Sequence, residues 1–218
     1  MREYGYWKNM DPEEYIAFAE SIKLVYISVA KQILEDTGIK KGFALDLSSG
    51  PGYLGFEIIK MTELNMVFMD LNQSLLKSMN KIDNQLFREA FSSVAADAHS
   101  LPFKDNEFDL IVSRGAFHFW KNEIIVFSEI YRTLKPGGQA YIGGGFGRYL
   151  NDIDRKACGS AWQKQWVGKE RELTEFKMRI KRFSPEYSDE ISSRTGLVKK
   201  AYIKDLPGIW LHLCKRTA

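Results

Sequence analysis

Residues 43–58 read FALDLSSGPGYLGFEI, and few folds accept that order of residue types. Phe43, Ala44, Leu45 and Leu47 make a short apolar run followed at once by glycines, which suits a buried parallel strand better than a helix. Gly50 and Gly52 let the chain turn and leave the main chain open to a ligand. Leu54, Phe56, Ile58 and Ile59 then give the next segment an apolar helical face. The predicted unit is strand, glycine turn, helix. Amides without partners at the helix start favour a polar or anionic ligand, and Asp46 at the strand tip sets a carboxylate beside them. A ligand carrying both signs fits that pair best.

The pattern then repeats. Residues 65–70 (NMVFMD) read as a second strand ending in Asp70, twenty residues beyond Gly50, where a planar acceptor pair would match the two hydroxyls of a ribose. A helix is expected over 71–81, starting near Asn72 or Ser74, and a third strand over 91–96 again ends beside an acid, Asp97. A turn at 101–103 leads to strand 107–113 (EFDLIVS). A helix over 121–134 is broken by Lys135-Pro136-Gly137-Gly138 before strand 139–142. With right-handed crossovers this alternation predicts an α/β fold, a doubly wound parallel sheet whose ligand lies outside the carboxyl ends of the strands.

Upstream, Asp11-Pro12-Glu13 reads as an N-cap with proline at the first helical position, opening a helix to about Glu35 that has room for a break. Tyr4, Tyr6 and Trp7 before it serve either as packing or as a lid over a ligand. Downstream, residues 197–204 and 209–214 alternate around a turn at 205–208 and predict an antiparallel pair. Residues 143–183 are too long for a simple connection, and with Trp162, Trp166 and helical stretches they read as a cap. Basic residues outnumber acids there, as a solvated face or as a surface for an acidic substrate or RNA.

Gly50-Pro51-Gly52-Tyr53-Leu54-Gly55 fits the G-x-G-x-x-G pattern of dinucleotide sites. Asp46 would however repel a pyrophosphate, whereas it favours the cationic amino acid end of S-adenosylmethionine. ALDLSSGPG, VFMD, AADAHSLPF, FDLIVSRGAFHFW and LKPGGQAYIGG stand in an order and spacing that resembles the class I S-adenosylmethionine-dependent methyltransferases, over roughly residues 40–145. Ser48 departs from the pattern, since glycine is usual there.

The resemblance implies a Rossmann-like methyltransferase fold, a mostly parallel seven-stranded sheet with an antiparallel C-terminal strand and a helical insertion. It divides a single domain into an N-terminal helical lid (1–36), a cofactor core (37–145), a cap (146–183) and a C-terminal helix with a strand pair (184–218). It also implies S-adenosyl-L-methionine as cofactor, held by Asp46, Ser49, Gly50 and Gly52 in the first turn, Asp70 and Leu71 at the ribose, Asp97 and Ala98 at the adenine, and Arg114 and Gly115 at the fourth strand's exit.

The expected activity is methyl transfer to a small molecule. RNA methylation and noncatalytic cofactor binding are the alternatives. Tyr6, Trp7, Trp120 and Arg148 are candidate acceptor contacts. His118 is either a general base, its ordinary pKa of about 6.5 suiting that role, or part of an aromatic wall. The formal charge of +3 gives only weak support for nucleic acid. Two cysteines without CxxC spacing and three scattered histidines predict no structural zinc. No run of about 18 apolar residues is present for a membrane span, and the first residues lack the apolar stretch of a signal peptide, so the expected location is the cytoplasm.

Overall fold

The computed structural model describes residues 11–79, 91–205 and 207–217. Helix α1, Pro12–Ser21, begins as its sequence requires, with Asp11 accepting the Glu13 amide at 3.1 Å and proline in the first turn. The expected break falls at Ile22, and α2, Lys23–Thr37, runs on to Gly38, whose φ of 69° supplies the left-handed stop. Strand β1 is Lys41–Leu47, α3 is Tyr53–Ile59 and β2 is Glu63–Asp70. Helix α4 covers Gln73–Ser78, with Asn72 capping the Ser74 and Leu75 amides. Positions 80 and 81 of the helix predicted over 71–81 lie outside the described residues.

Strands β3 (Phe91–Ala95) and β4 (Phe108–Arg114) follow, then a 3-10 turn at Phe117–Phe119 and α5 at Glu123–Thr133. Strand β5 is Leu134–Gly143, so the expected break at 135–138 is not a loop. It survives as a shift in the β4–β5 register between Phe108 and Leu110. Glycine is required in it, because a Cβ on Gly138 would stand 2.9 Å from the carbonyl oxygens of Lys135 and Phe108. Helices α6 (Asp152–Lys164), α7 (Glu170–Arg182) and α8 (Pro185–Thr195) come next, and β6 (Val198–Asp205) and β7 (Gly208–Cys214) close the chain.

Among the described residues the sheet is seven-stranded in the order β3-β2-β1-β4-β5-β7-β6. The first five strands are parallel, and β7 lies antiparallel between β5 and β6. Alternation sorts the centre of the sheet onto two faces. Ala44, Leu110 and Val112 meet Ile22, Val29 and Phe56 on one side, while Leu45, Leu47 and Ile111 meet Phe127, Ile130 and Ile191 on the other. The reversal of strand order between β1 and β4 leaves a crevice at their carboxyl ends.

Candidate functional site

A cavity of about 990 Å³ opens at those carboxyl ends, and two differently built regions line it. The first comes from the tips of β1, β2 and β3. Asp70 accepts the Gly50 amide at 2.7 Å through Oδ2 and the Asn72 amide at 2.8 Å through Oδ1, which ties the glycine turn to the end of β2. Burial pushes its pKa above the usual carboxylate range, and the Asn72 and Gly50 amides oppose that rise. Gly50 has a φ of 56°, and a Cβ on it would come within 3.3 Å of the Tyr15 ring, so its backbone faces α1 across a narrow gap. Ser48 also lines the cavity with a left-handed φ of 58°, a strained conformation for a side-chain-bearing residue that explains why glycine is usual there.

Asp97 keeps a half-exposed carboxylate whose Oδ1 receives both the amide of His99, at 2.9 Å, and its Nδ1, at 2.7 Å. The Asn122 amide donates to His99 Nε2 at 3.2 Å, which leaves Nδ1 as the protonated nitrogen that donates to Asp97. Partial burial raises the Asp97 pKa, but the His99 hydrogen bonds and charge outweigh it and hold the carboxyl below its usual value. Leu71, Ala98, Arg114 and Gly115 line the cavity, with the Arg114 guanidinium 4.8 Å from the Tyr26 ring centre and 3.3 Å from the Gly145 carbonyl oxygen.

Asp46, Ser49 and Gly52 stand behind this wall rather than in it. Asp46 is 2% exposed, and its Oδ2 accepts the Gly55 amide at 3.0 Å, so the anion position at the start of α3 is filled by the protein's own carboxyl. Burial pushes its pKa up to about 7, the Gly55 bond opposes this, and the Asp70 charge adds to it. Gly52 serves the core: with φ of 86°, it would carry a Cβ 2.9 Å from Phe68 and 3.1 Å from Met79 and Phe56. Ser49 donates its amide to the Met69 carbonyl oxygen at 2.9 Å and holds β1 beside β2.

The second region is aromatic. The 3-10 turn after β4 presents Phe117, His118 and Phe119, and Trp162 of α6, Trp166 of the turn after it and Phe176 of α7 face it. Ring centres lie 4.4 Å apart for His118 and Phe176, 5.2 Å for Trp166 and Phe176, and 5.9 Å for Trp162 and Trp166. Arg179 donates to the His118 carbonyl oxygen at 2.9 Å and fastens α7 to the turn. Burial, then the Arg179 charge, lowers the His118 pKa to about 3, so its imidazole is neutral near pH 7 and too weak a base to take a proton there. Of the two roles expected for His118, its packing against Phe117, Phe119 and Phe176 is the one that the aromatic wall describes.

Trp120 lines the same region. Arg148 does not: its guanidinium pairs with Asp36 and Glu35, beside α2 and away from the cavity lining. Tyr6 and Trp7 lie outside the described residues. The sequence reading missed Tyr15 and Phe18 of α1, His99, Phe176 and Arg179, all in the lining. The Asp-x-His order at 97–99 was the available signal for His99; nothing in the local pattern marked Phe176.

A doubly wound sheet with this strand order, a glycine turn tied to an acid at the tip of β2 and a second acid after β3 defines a class, and the chain belongs to the class I S-adenosylmethionine-dependent methyltransferases. Within that class, residues 45–142 match the family model described as a methyltransferase domain. A solved structure of a putative S-adenosyl-L-methionine-dependent methyltransferase from Methanococcus maripaludis superposes with a TM-score of 0.80 at 28% identity, covering 95% of this chain and 93% of that one. Among curated proteins, the biotin biosynthesis bifunctional protein BioHC of Teredinibacter turnerae is 28% identical over 92% of this chain and 34% of its own length. The ubiquinone/menaquinone biosynthesis C-methyltransferase UbiE of Francisella philomiragia is 32% identical over 51% of this chain and 46% of its own. The chain thus matches about a third to a half of the length of these curated relatives.

Proposed function

We propose that the protein transfers a methyl group from S-adenosylmethionine to a small molecule held in the aromatic region. The observation that carries this reading is the single cavity shared by the two regions, carboxylates at one end and aromatic rings at the other. The residues present suit the cofactor. Each Asp70 oxygen accepts one amide and keeps a lone pair for a ribose hydroxyl. Leu71, 43% exposed, and Ala98 offer apolar surface to a flat ring, with Asp97 at its edge for an amino group. Arg114 lines the middle of the cavity, where its guanidinium donates to the Gly145 carbonyl oxygen at 3.3 Å and brings a positive charge. Asp46 acts one layer back, fixing α3 through the Gly55 amide.

When bound, S-adenosylmethionine supplies a methyl carbon on a sulfonium, which is already a good leaving group. The protein's own work is alignment and exclusion of water. The strand tips hold one reactant, and the rings of α6, α7, the turn between them and the 3-10 turn hold the other. His118, neutral and walled by Phe117, Phe119 and Phe176, orients rather than deprotonates, which favours an acceptor that reaches the site already nucleophilic. Incubation with methyl-labelled cofactor and a fractionated metabolite extract tests the proposal: label should enter a small-molecule fraction, and label confined to RNA, or absent from every fraction while the cofactor binds, would overturn it.

A further inference from the structure

The two acids in the cavity lining hold their oxygens differently. Asp70 accepts one amide on each oxygen, whereas Asp97 takes both of its bonds on Oδ1, from the His99 amide at 2.9 Å and from His99 Nδ1 at 2.7 Å. Its Oδ2 accepts from no group among the described residues, and the side chain is 54% exposed. The imidazole that holds Oδ1 is itself held. Its Nε2 accepts the Asn122 amide at 3.2 Å, and Asn122 in turn caps α5 by accepting the Ile125 amide. With Nε2 accepting, the ring proton stands on Nδ1 and faces Asp97. An ionised carboxylate fixed in this way presents one oxygen, in one direction, that can only accept. An adenine amino group donates to it. Hypoxanthine carries a carbonyl oxygen at that ring position and its N–H one atom away, so a carboxylate free to turn could follow the N–H and a fixed one could not.

Resting on the methyltransferase reading above, we infer that His99 is a positioning residue for cofactor selectivity: it aims the Asp97 carboxylate so that Oδ2 meets the base, and so makes the site prefer the amino group of adenine to the carbonyl of hypoxanthine. His99 acts through Asp97 and has no part in the transfer itself. Its two nitrogens do separate work. Nδ1 sets the direction of the carboxylate, while Nε2 ties the ring to the start of α5. A substitution that loses the first bond should relax the choice of base, and one that loses only the second should not.

S-adenosylhomocysteine and S-inosylhomocysteine differ only at that edge of the base, and calorimetric titration of both into the parent and two variants tests the inference. The parent should bind the adenosyl compound at least about tenfold more tightly, the scale of one hydrogen bond to a charged group. His99→Gln puts an amide oxygen where Nε2 accepts the Asn122 amide and removes the donor at the Nδ1 position. It should cut the preference at least about threefold. His99→Asn keeps a donor at the Nδ1 position and gives up the Asn122 bond, and its preference should stay within about twofold of the parent's. Equal binding of the two compounds by the parent, a preference unchanged in His99→Gln, or one lost in His99→Asn alone, as a purely structural role at the start of α5 would give, would overturn the inference. Tight S-adenosylhomocysteine binding in those cases leaves the methyltransferase reading standing, whereas its failure to bind the parent protein would remove that reading too.

Discussion

The two ends of the cavity are built on opposite principles. At the strand tips the polar groups are already satisfied by the chain: Asp70 by two amides, Asp97 by His99, Asp46 by Gly55. At the aromatic end the lining is a set of tilted and edge-on rings, His118, Trp162, Trp166 and Phe176. The strand-tip end is pre-organised, its geometry set before any ligand arrives. The aromatic end is walled by ring contacts between the 3-10 turn and the segment from α6 to α7. The difference extends to how the walls are supported. Helix α6 buries Cys158 in the core, whereas α7 buries no residue and is fastened by the Arg179 bond and the Phe176 contacts. One region can therefore vary its side chains with little cost to the fold, and the other cannot.

Substitutions confined to one end should separate the two roles. Phe176→Ala removes the ring that joins α7 to His118 and Trp166, and kcat/KM should fall about a hundredfold through lost alignment while the cofactor's Kd stays within about threefold. Steady-state rates beside calorimetry check it, and an equal loss in both would erase the distinction. Asp70→Ala should do the reverse, weakening the cofactor about tenfold to a hundredfold as charge-assisted hydrogen bonds and the tie to Gly50 are lost. Its rate at saturating cofactor should fall less.

His118→Gln should lower single-turnover rates by less than about tenfold, below the usual cost of losing a general base. The pH profile should keep its shape between pH 6 and 8, because a histidine held to about 3 does not titrate there. A near-neutral titration that vanishes in the variant would restore His118 as a base.

The smallest effect concerns stability. Asp46 has a pKa of about 7 in the folded chain against about 4 unfolded, so between those values the native state holds the extra proton and stability falls as pH rises. Asp46→Asn removes that dependence and keeps an oxygen for the Gly55 amide. At pH 8 its Tm should exceed the parent's by at least about 2–4 °C, the shift that 1 kcal/mol produces in a chain of this length, and at pH 4 the advantage should vanish. Melting curves at the two pH values decide it.

The same contrast accounts for what could be read from the chain alone. Strand, turn and helix at the cofactor end are written in contiguous residues, so β1 with Gly50, β2 with Asp70 and β3 with Asp97 were legible as spacing. What spacing did not show was direction. Asp46 and Gly52 lie in the same motif as Gly50, yet one turns to Gly55 and the other packs against Phe68, because β1 alternates faces and α3 begins at once. Ser48 was legible as an anomaly, and its φ of 58° gives the reason. The aromatic end of the cavity is assembled from residues 15–18, 117–120 and 162–180, whose proximity depends on how α1, α6 and α7 settle on the sheet, and local pattern cannot report that. Arg148 illustrates the limit: a cation after β5 suits a substrate contact by position, but Asp36 and Glu35 of α2 claim it.

The central claim is that the strand tips are shaped for S-adenosylmethionine and against a dinucleotide, because Asp46 occupies the helix start where a pyrophosphate would dock. Parallel calorimetric titrations of the unmodified protein with S-adenosylmethionine and with NAD test it most directly. S-adenosylmethionine should bind at least about tenfold more tightly, a difference of about 1.4 kcal/mol. NAD binding as tightly or more tightly would contradict the account.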